Sequence, residues 1–524
     1  MRSFMIFVFL VLFVGCGKSQ VPSSQALRIN ISTEPATLDP RRSRTLTEVT
    51  MCRMLFEGLT RSSKKGETEL ALAEAVEISD DGLEYVFHLR NSFWSNGQPV
   101  TSYDFAKSWK MILSPSFPSD IAYQLYVIKN GQKVKAGEIA LEALGLKTPN
   151  AETLIVTLEQ PTPYFLDICS MSSYLPVPQI ATADKNWSLE PGTFVGNGPF
   201  LLTSWKHADQ IVISKNHRYW ESNIVRLEKI DLMMLTNDTE IRMYEEKKLD
   251  WAGSPLSTIP MDAVKQLKET KELQVSPLLG TFFLRVNTSK HLLSDVNIRK
   301  ALAIAVDRSG ITSHILQGGQ ARALSLVPKE MGLVGEDYFS DQNIEEARCL
   351  LNKAFCEAKV TKESMQPIVL SFIAGDLNLS ISQAIQKYWE ISLGILVQLE
   401  AVESKVFFQK IRQKNYQLAV GSWIADFNDP INFLEVFKFK VGSTNNTGWE
   451  NPKYIDLLDR SQLSRDQEER KILLRQAEEI LMAEMPMIPV FHYTMNYLEQ
   501  SRVADVALSP IGGLDFRWAY LKEE

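Results

Sequence analysis

The sequence predicts a mixed α/β protein of two or three domains, and three observations carry that reading. The chain has 524 residues, more than one hydrophobic core takes up, since domains run from ~50 to ~250 residues. Strand-type and helical segments follow one another in β-α-β order through the C-terminal half, the order of an α/β sheet with right-handed crossovers. The composition, 45% hydrophobic and 23% charged, is that of a chain with enough apolar surface to fold.

At the N-terminus, Arg2 precedes an apolar run over 4–14, then Gly15-Cys16-Gly17. The run is too short for a membrane-spanning helix, which needs ~20 residues, and fits the core of a secretory signal. Phe13-Val14-Gly15-Cys16 resembles a bacterial lipobox, with Phe13 where Leu is usual. That resemblance implies a signal peptide over 1–15, cleavage before Cys16, and a diacylglycerol on its thiol. Residues 16–26 are polar and read as a tether. Acyl chains contribute ~0.8 kcal/mol per buried CH₂, so several hold a protein firmly to a bilayer.

The elements after the tether follow from local pattern. Residues 27–31 read as a strand, and 47–56 as a helix through Val49, Met51, Leu55 and Phe56. Asp80-Asp81-Gly82 supplies a hairpin turn before the alternating Leu83, Tyr85, Phe87 and Leu89. Thr101 or Ser102 caps a helix with Asp104 near its positive end and Phe105, Trp109, Ile112 and Leu113 buried. Strands are expected at 154–158, 200–205, 211–214, 227–235 and 282–287, and helices at 239–248 and 295–307. Asn343 with Glu346 opens a further helix. The β-α-β unit covers 367–373, 380–393 and 397–401, and a last long helix covers 464–484.

Several function classes are excluded. The net charge is −7, and no Lys/Arg run has the length of a nucleic-acid patch. The six histidines are dispersed, none in a metal-binding spacing, and no G-x-S-x-G, H-E-x-x-H or phosphate-binding loop occurs. Neither catalysis nor a cofactor is expected. Cys52, Cys169, Cys349 and Cys356 are scattered and read as buried free thiols, with a Cys52–Cys169 bridge as the alternative. Cys349 and Cys356 stand ~10 Å apart on a helix, too far to bridge.

Six segments then carry a resemblance. They are Leu83-Glu84-Tyr85-Val86-Phe87-His88-Leu89-Arg90 with 94–109, Gly196-Asn197-Gly198-Pro199-Phe200, 296–308, Trp423-Ile424-Ala425-Asp426-Phe427-Asn428-Asp429-Pro430, 444–449 and 477–493. In this order they closely resemble the family 5 extracellular solute-binding proteins, which include oligopeptide-, dipeptide- and nickel-binding proteins. The resemblance implies a two-lobed periplasmic-binding-protein-like fold of class II, three-domain type. Domain I would take 27–56, 191–284 and 499–524. Domain II, inserted, would take 57–190, and domain III 285–498. It further implies a monomer anchored outside the cell membrane, in the periplasm, that delivers small peptides to ABC transporter permease subunits.

The family pattern also implies a site. Asp426 would pair with the peptide's α-ammonium, because a cation buried in a closed cleft needs a desolvated anion. Asp429, beside Pro430, suits a turn-capping role better. Trp423 and Phe407 would line ligand pockets, and Tyr126 and Tyr497 would stand at the cleft. Val420, Gly421 and Ser422 would pair their main chain with an extended peptide. Two departures stand out. Val420 occupies a position where oligopeptide binders place a basic residue, and Arg44 lies where an acidic residue is expected. Arg41, Arg42 and Arg44 would then either meet an anionic group such as a ligand carboxylate or form a solvated surface. The alternative functions are binding of a non-peptide solute, such as a metal chelate or modified cell-wall peptide, and an adhesin-like surface lipoprotein.

Overall fold

The computed structural model describes residues 26–184, 186–333, 337–359, 366–441 and 444–523. The leader, Cys16 and the tether before residue 26 lie outside the described residues. No helix among those described is long and apolar enough to cross a membrane.

One eleven-stranded sheet carries both lobes. Its order is Val397–Val402, Ile368–Ile373, Leu418–Ile424, Gln274–Val286, Met487–Glu499, Trp251–Gly253, Ala26–Asn30, Lys229–Met233, Gln210–Lys215 and Phe200–Lys206, with Ala321–Arg322 added to Met487–Glu499. Gln274–Val286 and Met487–Glu499, of 13 residues each, join the two halves. At ~3.3 Å per residue each spans roughly 40 Å. Residues 280–286 pair with Leu418–Ile424 in one lobe. At the other end, 497–499 pair with Trp251–Gly253. The register between the two long strands slips between Pro277 and Thr281. Proline there has no N–H to give to the ladder, which loosens the pairing midway between the lobes.

Local sequence explains most elements. The β-α-β unit is Ile368–Ile373, Asp376–Ser392 and Val397–Val402, with its strands parallel. Its helix buries Ile381, Ile385 and Trp389, one residue per turn, and the Trp389 indole donates to the Leu302 carbonyl at 2.9 Å. A separate four-stranded sheet orders Ala73–Ile78, Glu84–Leu89, Thr153–Thr157 and Leu146–Asn150. Tyr85, Phe87 and Leu89 face inward, as their alternation requires. Ser102–Leu113 starts from a Thr101/Asp104 capping box and buries Phe105, Trp109, Ile112 and Leu113.

Some expectations change. The helix expected over 295–307 ends at Ile304, because Asp307 caps a new turn and accepts from the Gly310 amide. The segment before the last long helix holds another helix, Pro452–Leu463, capped by Asn451. Ser464 ends that helix, and Asp466 caps Gln467–Glu484. Cys52 and Cys169 are buried and free, so the Cys52–Cys169 bridge does not form. Cys349 and Cys356 are also free, but exposed rather than buried, because the helix Ile344–Ala358 buries Ala347, Leu351, Ala354 and Phe355 instead.

Candidate functional site

Between the lobes lies a cavity of about 560 Å³. Ile424, Ala425 and Asp426 form one wall, and Ser43, Arg44, Asp120 and Tyr123 stand among the residues of the other. Leu278, Thr494 and Met495 of the long connecting strands also line it.

Asp426 follows the strand Leu418–Ile424. The strand's last pairing is the Ala425 amide on the Leu279 carbonyl at 2.8 Å. Buried Asn432 holds the turn: its Oδ1 accepts from the Trp423 indole at 2.8 Å and from the Asp426 amide at 3.2 Å. The Asp426 side chain opens to the solvent of the cleft. Protein crowds it enough for desolvation to raise its pKa, a shift the Asn432 hydrogen bond opposes. No basic side chain among the described residues forms an ion pair with it. Asp429 has the structural role instead: it accepts from the Ile431 amide at 2.9 Å and takes both Arg470 nitrogens at 2.8 and 2.9 Å.

Across the cavity, the buried Glu48 carboxylate accepts from the Ala36, Arg44 and Thr45 amides and so holds the loop before Leu46–Leu55. Arg44 reaches Asp120 at 2.5 Å, with both side chains mostly exposed. Tyr123 is 57% exposed. Its phenol pKa is raised by desolvation and by the Asp426 charge, while Arg44 lowers it. Cation, phenol and carboxylate therefore share one electrostatic environment.

The remaining expected residues separate. Trp423 does not line the cavity; its indole anchors Asn432. Phe407 packs in a satellite cluster with Ile411, Tyr416 and Ala419, because its helix Ser404–Arg412 buries the face holding Phe407 and Ile411. Tyr126 packs against the main core, and Tyr123 on the same short turn lines the cavity in its place. Tyr497 stacks on Trp251 with centroids 4.3 Å apart, while Thr494 and Met495 do the lining. Arg41 is buried in a pair with Asp39 at 2.6 Å.

Val420, Gly421 and Ser422 pair with Leu284, Phe283 and Phe282 on one edge. On the other edge Ile368–Ile373 pairs only with Leu418 and Ala419. From Val420 to Ile424 the outer main chain therefore has no strand partner among the described residues. Gly421 is required there, since a Cβ would stand 2.9 Å from the Phe283 ring and 3.0 Å from the Arg285 Nε. The Ser422 hydroxyl bonds to Tyr493.

Residues 67–445 match the model of the bacterial extracellular solute-binding proteins, family 5 (middle region). The chain belongs to this family. The family is one of solute-binding proteins, not enzymes. This family 5 protein is 39% identical over 516 residues to the oligopeptide-binding protein OppA of Bacillus subtilis, covering 97% of this chain and 95% of that one. Among solved structures, the murein tripeptide-binding protein MppA in its unliganded open form superposes with a TM-score of 0.83 at 26% identity, covering 96% of this chain and 98% of that one. Haemophilus influenzae OppA, in complex with the peptide RPPGFSPFR, gives 0.75 at 27% identity, covering 96% and 100%. The fold is the two-lobed periplasmic binding fold of these proteins.

Sequence reasoning missed Tyr123 and Asn432. Tyr123 lies three residues before the expected Tyr126, and only the turn Ala122–Leu125 decides which ring faces the cleft. Asn432 lies six residues after Asp426 in Asp429-Pro430-Ile431-Asn432, a signal that was readable as a turn-stabilising amide.

Proposed function

We propose that this chain is the substrate-binding component of an ABC peptide transporter. It is a monomer, lipidated on Cys16 and held at the membrane outside the cytoplasm. It captures oligopeptides between its lobes and passes them to the permease. Domain I takes 27–56, 191–284 and 499–524, domain II 57–190 and domain III 285–498. In support, the strands Ala26–Asn30, Phe200–Lys206, Gln210–Lys215, Lys229–Met233 and Trp251–Gly253 lie in one half of the large sheet and those from Ile368 to Ile424 in the other, while the four-stranded sheet falls wholly within 57–190.

One observation carries the cargo reading. Among the described residues, the Asp426 carboxylate lines the interlobe cavity with no ion-pair partner, at the end of a strand whose outer edge pairs with no other strand beyond Ala419. A peptide's α-ammonium would supply the missing charge, and its main chain would pair with 420–424 as an added strand. Main-chain pairing ignores side-chain identity, and a hydrated cleft completes other bonds through water; together they favour broad specificity. Arg44 and Tyr123 would face the ligand from the opposite wall, with Arg44 suited to a carboxylate once it leaves Asp120.

The test is calorimetry with a tetrapeptide and its Nα-acetylated form. The free peptide should bind at least tenfold more tightly than the acetylated one, and Asp426→Asn should erase the difference. Equal affinity of both peptides for the unmodified protein would defeat the reading. Separately, Cys16→Ser should release the protein from membranes, and unchanged membrane association would remove the lipid anchor from the account.

A further inference from the structure

A second cavity, of about 760 Å³, shares no lining residue with the cleft. It sits between the loop 39–42 and one face of the helix Ser102–Leu113, and the turn at 114–118 closes it. Tyr103, Lys107, Lys110 and Met111 line it at helical spacings of i, i+4, i+7 and i+8, so they form one continuous wall.

The charges in this wall are unbalanced. Among the described residues, ion pairs engage Arg41 with Asp39 and Arg44 with Asp120, but none engages Arg42, Lys107 or Lys110. The nearby carboxylates are committed. Asp39 takes Arg41 at 2.8 and 2.6 Å. Asp104 accepts from the Thr101 amide at 2.8 Å and from the Trp94 indole at 3.4 Å, and feels the Lys107 charge without forming an ion pair with it. Three cations thus converge on one concavity in a chain whose net charge is −7.

The base of the cavity is built rather than incidental. Phe117 is buried, and the guanidinium carbons of Arg41 and Arg42 stand 5.1 and 4.9 Å from its ring centroid. Stacking of this kind orients a guanidinium before any ligand arrives. Buried Arg41 presents its Nη1 to the Met111 thioether at 2.8 Å, a weak acceptor that leaves donor capacity unused.

We propose that this cavity is a second binding site, for a small organic anion carrying a phosphate or carboxylate group on an aliphatic or aromatic body. Arg42, Lys107 and Lys110 hold the anionic group, and Phe117 with Met111 packs the body. A concave site with apolar walls and a few convergent polar groups suits a small ligand rather than a flat protein surface. The same chemistry belongs to a soluble phosphate ester and to an anionic phospholipid headgroup, and experiment separates them.

The test uses residues 17–524, the chain without its leader and Cys16, so that neither an apolar run nor an acyl anchor contributes. Phenyl phosphate is titrated by calorimetry, and phosphatidylglycerol vesicles are assayed by flotation. Saturable binding of at least one is expected, at least tenfold weaker in Lys107→Ala/Lys110→Ala and in Arg42→Ala, with tetrapeptide affinity unchanged. Phenyl phosphate binding identifies a soluble ester, and binding to vesicles alone identifies a headgroup. Asp426→Asn should lose peptide and keep the anion. The proposal is overturned by absence of binding to both probes, by equal affinity in the charge variants, or by loss of the anion with Asp426→Asn, which would put it in the cleft.

Discussion

The rings of Tyr164 and Phe427 stack with their centroids 4.6 Å apart and their planes 8° from parallel. Phe427 is the residue after Asp426, and Tyr164 belongs to the segment that carries the four-stranded sheet. The contact therefore ties the loop after Asp426 to the segment that follows the four-stranded sheet, and under the proposed function a ligand at Asp426 would bear on it directly. Phe427→Ala should weaken peptide binding by about 1 kcal/mol, roughly fivefold. Calorimetry on Tyr164→Ala, Phe427→Ala and the double variant checks it, because residues in contact give non-additive effects. Strictly additive losses would show that the stack plays no part in binding.

Asp426 should trade stability for binding. Desolvation raises its pKa in the folded chain. Ionisation therefore costs the empty fold stability above the folded pKa, and the cost disappears as pH falls below the unfolded value. Asp426→Asn should raise the Tm of the empty protein at pH 7, and the gap should close near pH 3. Melting curves across that range test the sign. A variant that melts lower at pH 7 would contradict the desolvation argument.

Two buried groups give opposing pH dependences. Glu478 accepts from the Leu326 and Val327 amides at 3.0 and 2.8 Å, and burial pushes its pKa from 4.5 up to about 7. Its raised value means that stability is lost as pH rises from 4.5 through about 7. Burial lowers His492 from 6.5 to about 4. Its neutral form favours the fold, so stability is lost as pH falls from 6.5 towards 4. In Glu478→Gln, acidification from pH 7 to 5 should lower the Tm relative to the parent. In His492→Gln the same change should raise it. Parallel slopes in the two variants would refute the assignment.

Asp250 is fully buried and binds Arg28 and Arg502 at 3.0 and 2.7 Å. It thereby joins the first strand, the segment before Trp251–Gly253 and the C-terminal segment. Asp250→Ala should cost roughly 3 kcal/mol, since the buried pair loses its anion while two arginines remain. Denaturant unfolding measures it, and a loss below about 1 kcal/mol would mean that the arginines reach water freely.

Much of the fold was readable from local pattern. The capping box at Thr101, the alternation of Tyr85, Phe87 and Leu89, and the β-α-β unit all depend on residues within a few turns of one another. The family motif pointed to Asp426, which lines the cavity, and the neighbouring Pro430 pointed to the capping role of Asp429. The site residues read with less precision were those whose direction depends on distant packing. Phe407 and Phe408 are neighbours in sequence, yet one is 3% and the other 50% exposed, and only the cluster behind the helix decides which.

By itself the sequence determined the start of helices with a clear cap such as Thr101, which strand faces are apolar, and which acidic residue follows Trp423, because capping, periodicity and spacing act over short range. Tertiary structure alone decided that Tyr123 rather than Tyr126 lines the cleft, that Tyr497 is taken by Trp251, and that 420–424 keeps an open edge. Those outcomes depend on contacts between segments far apart in the chain, and one-dimensional spacing holds no record of which surfaces meet.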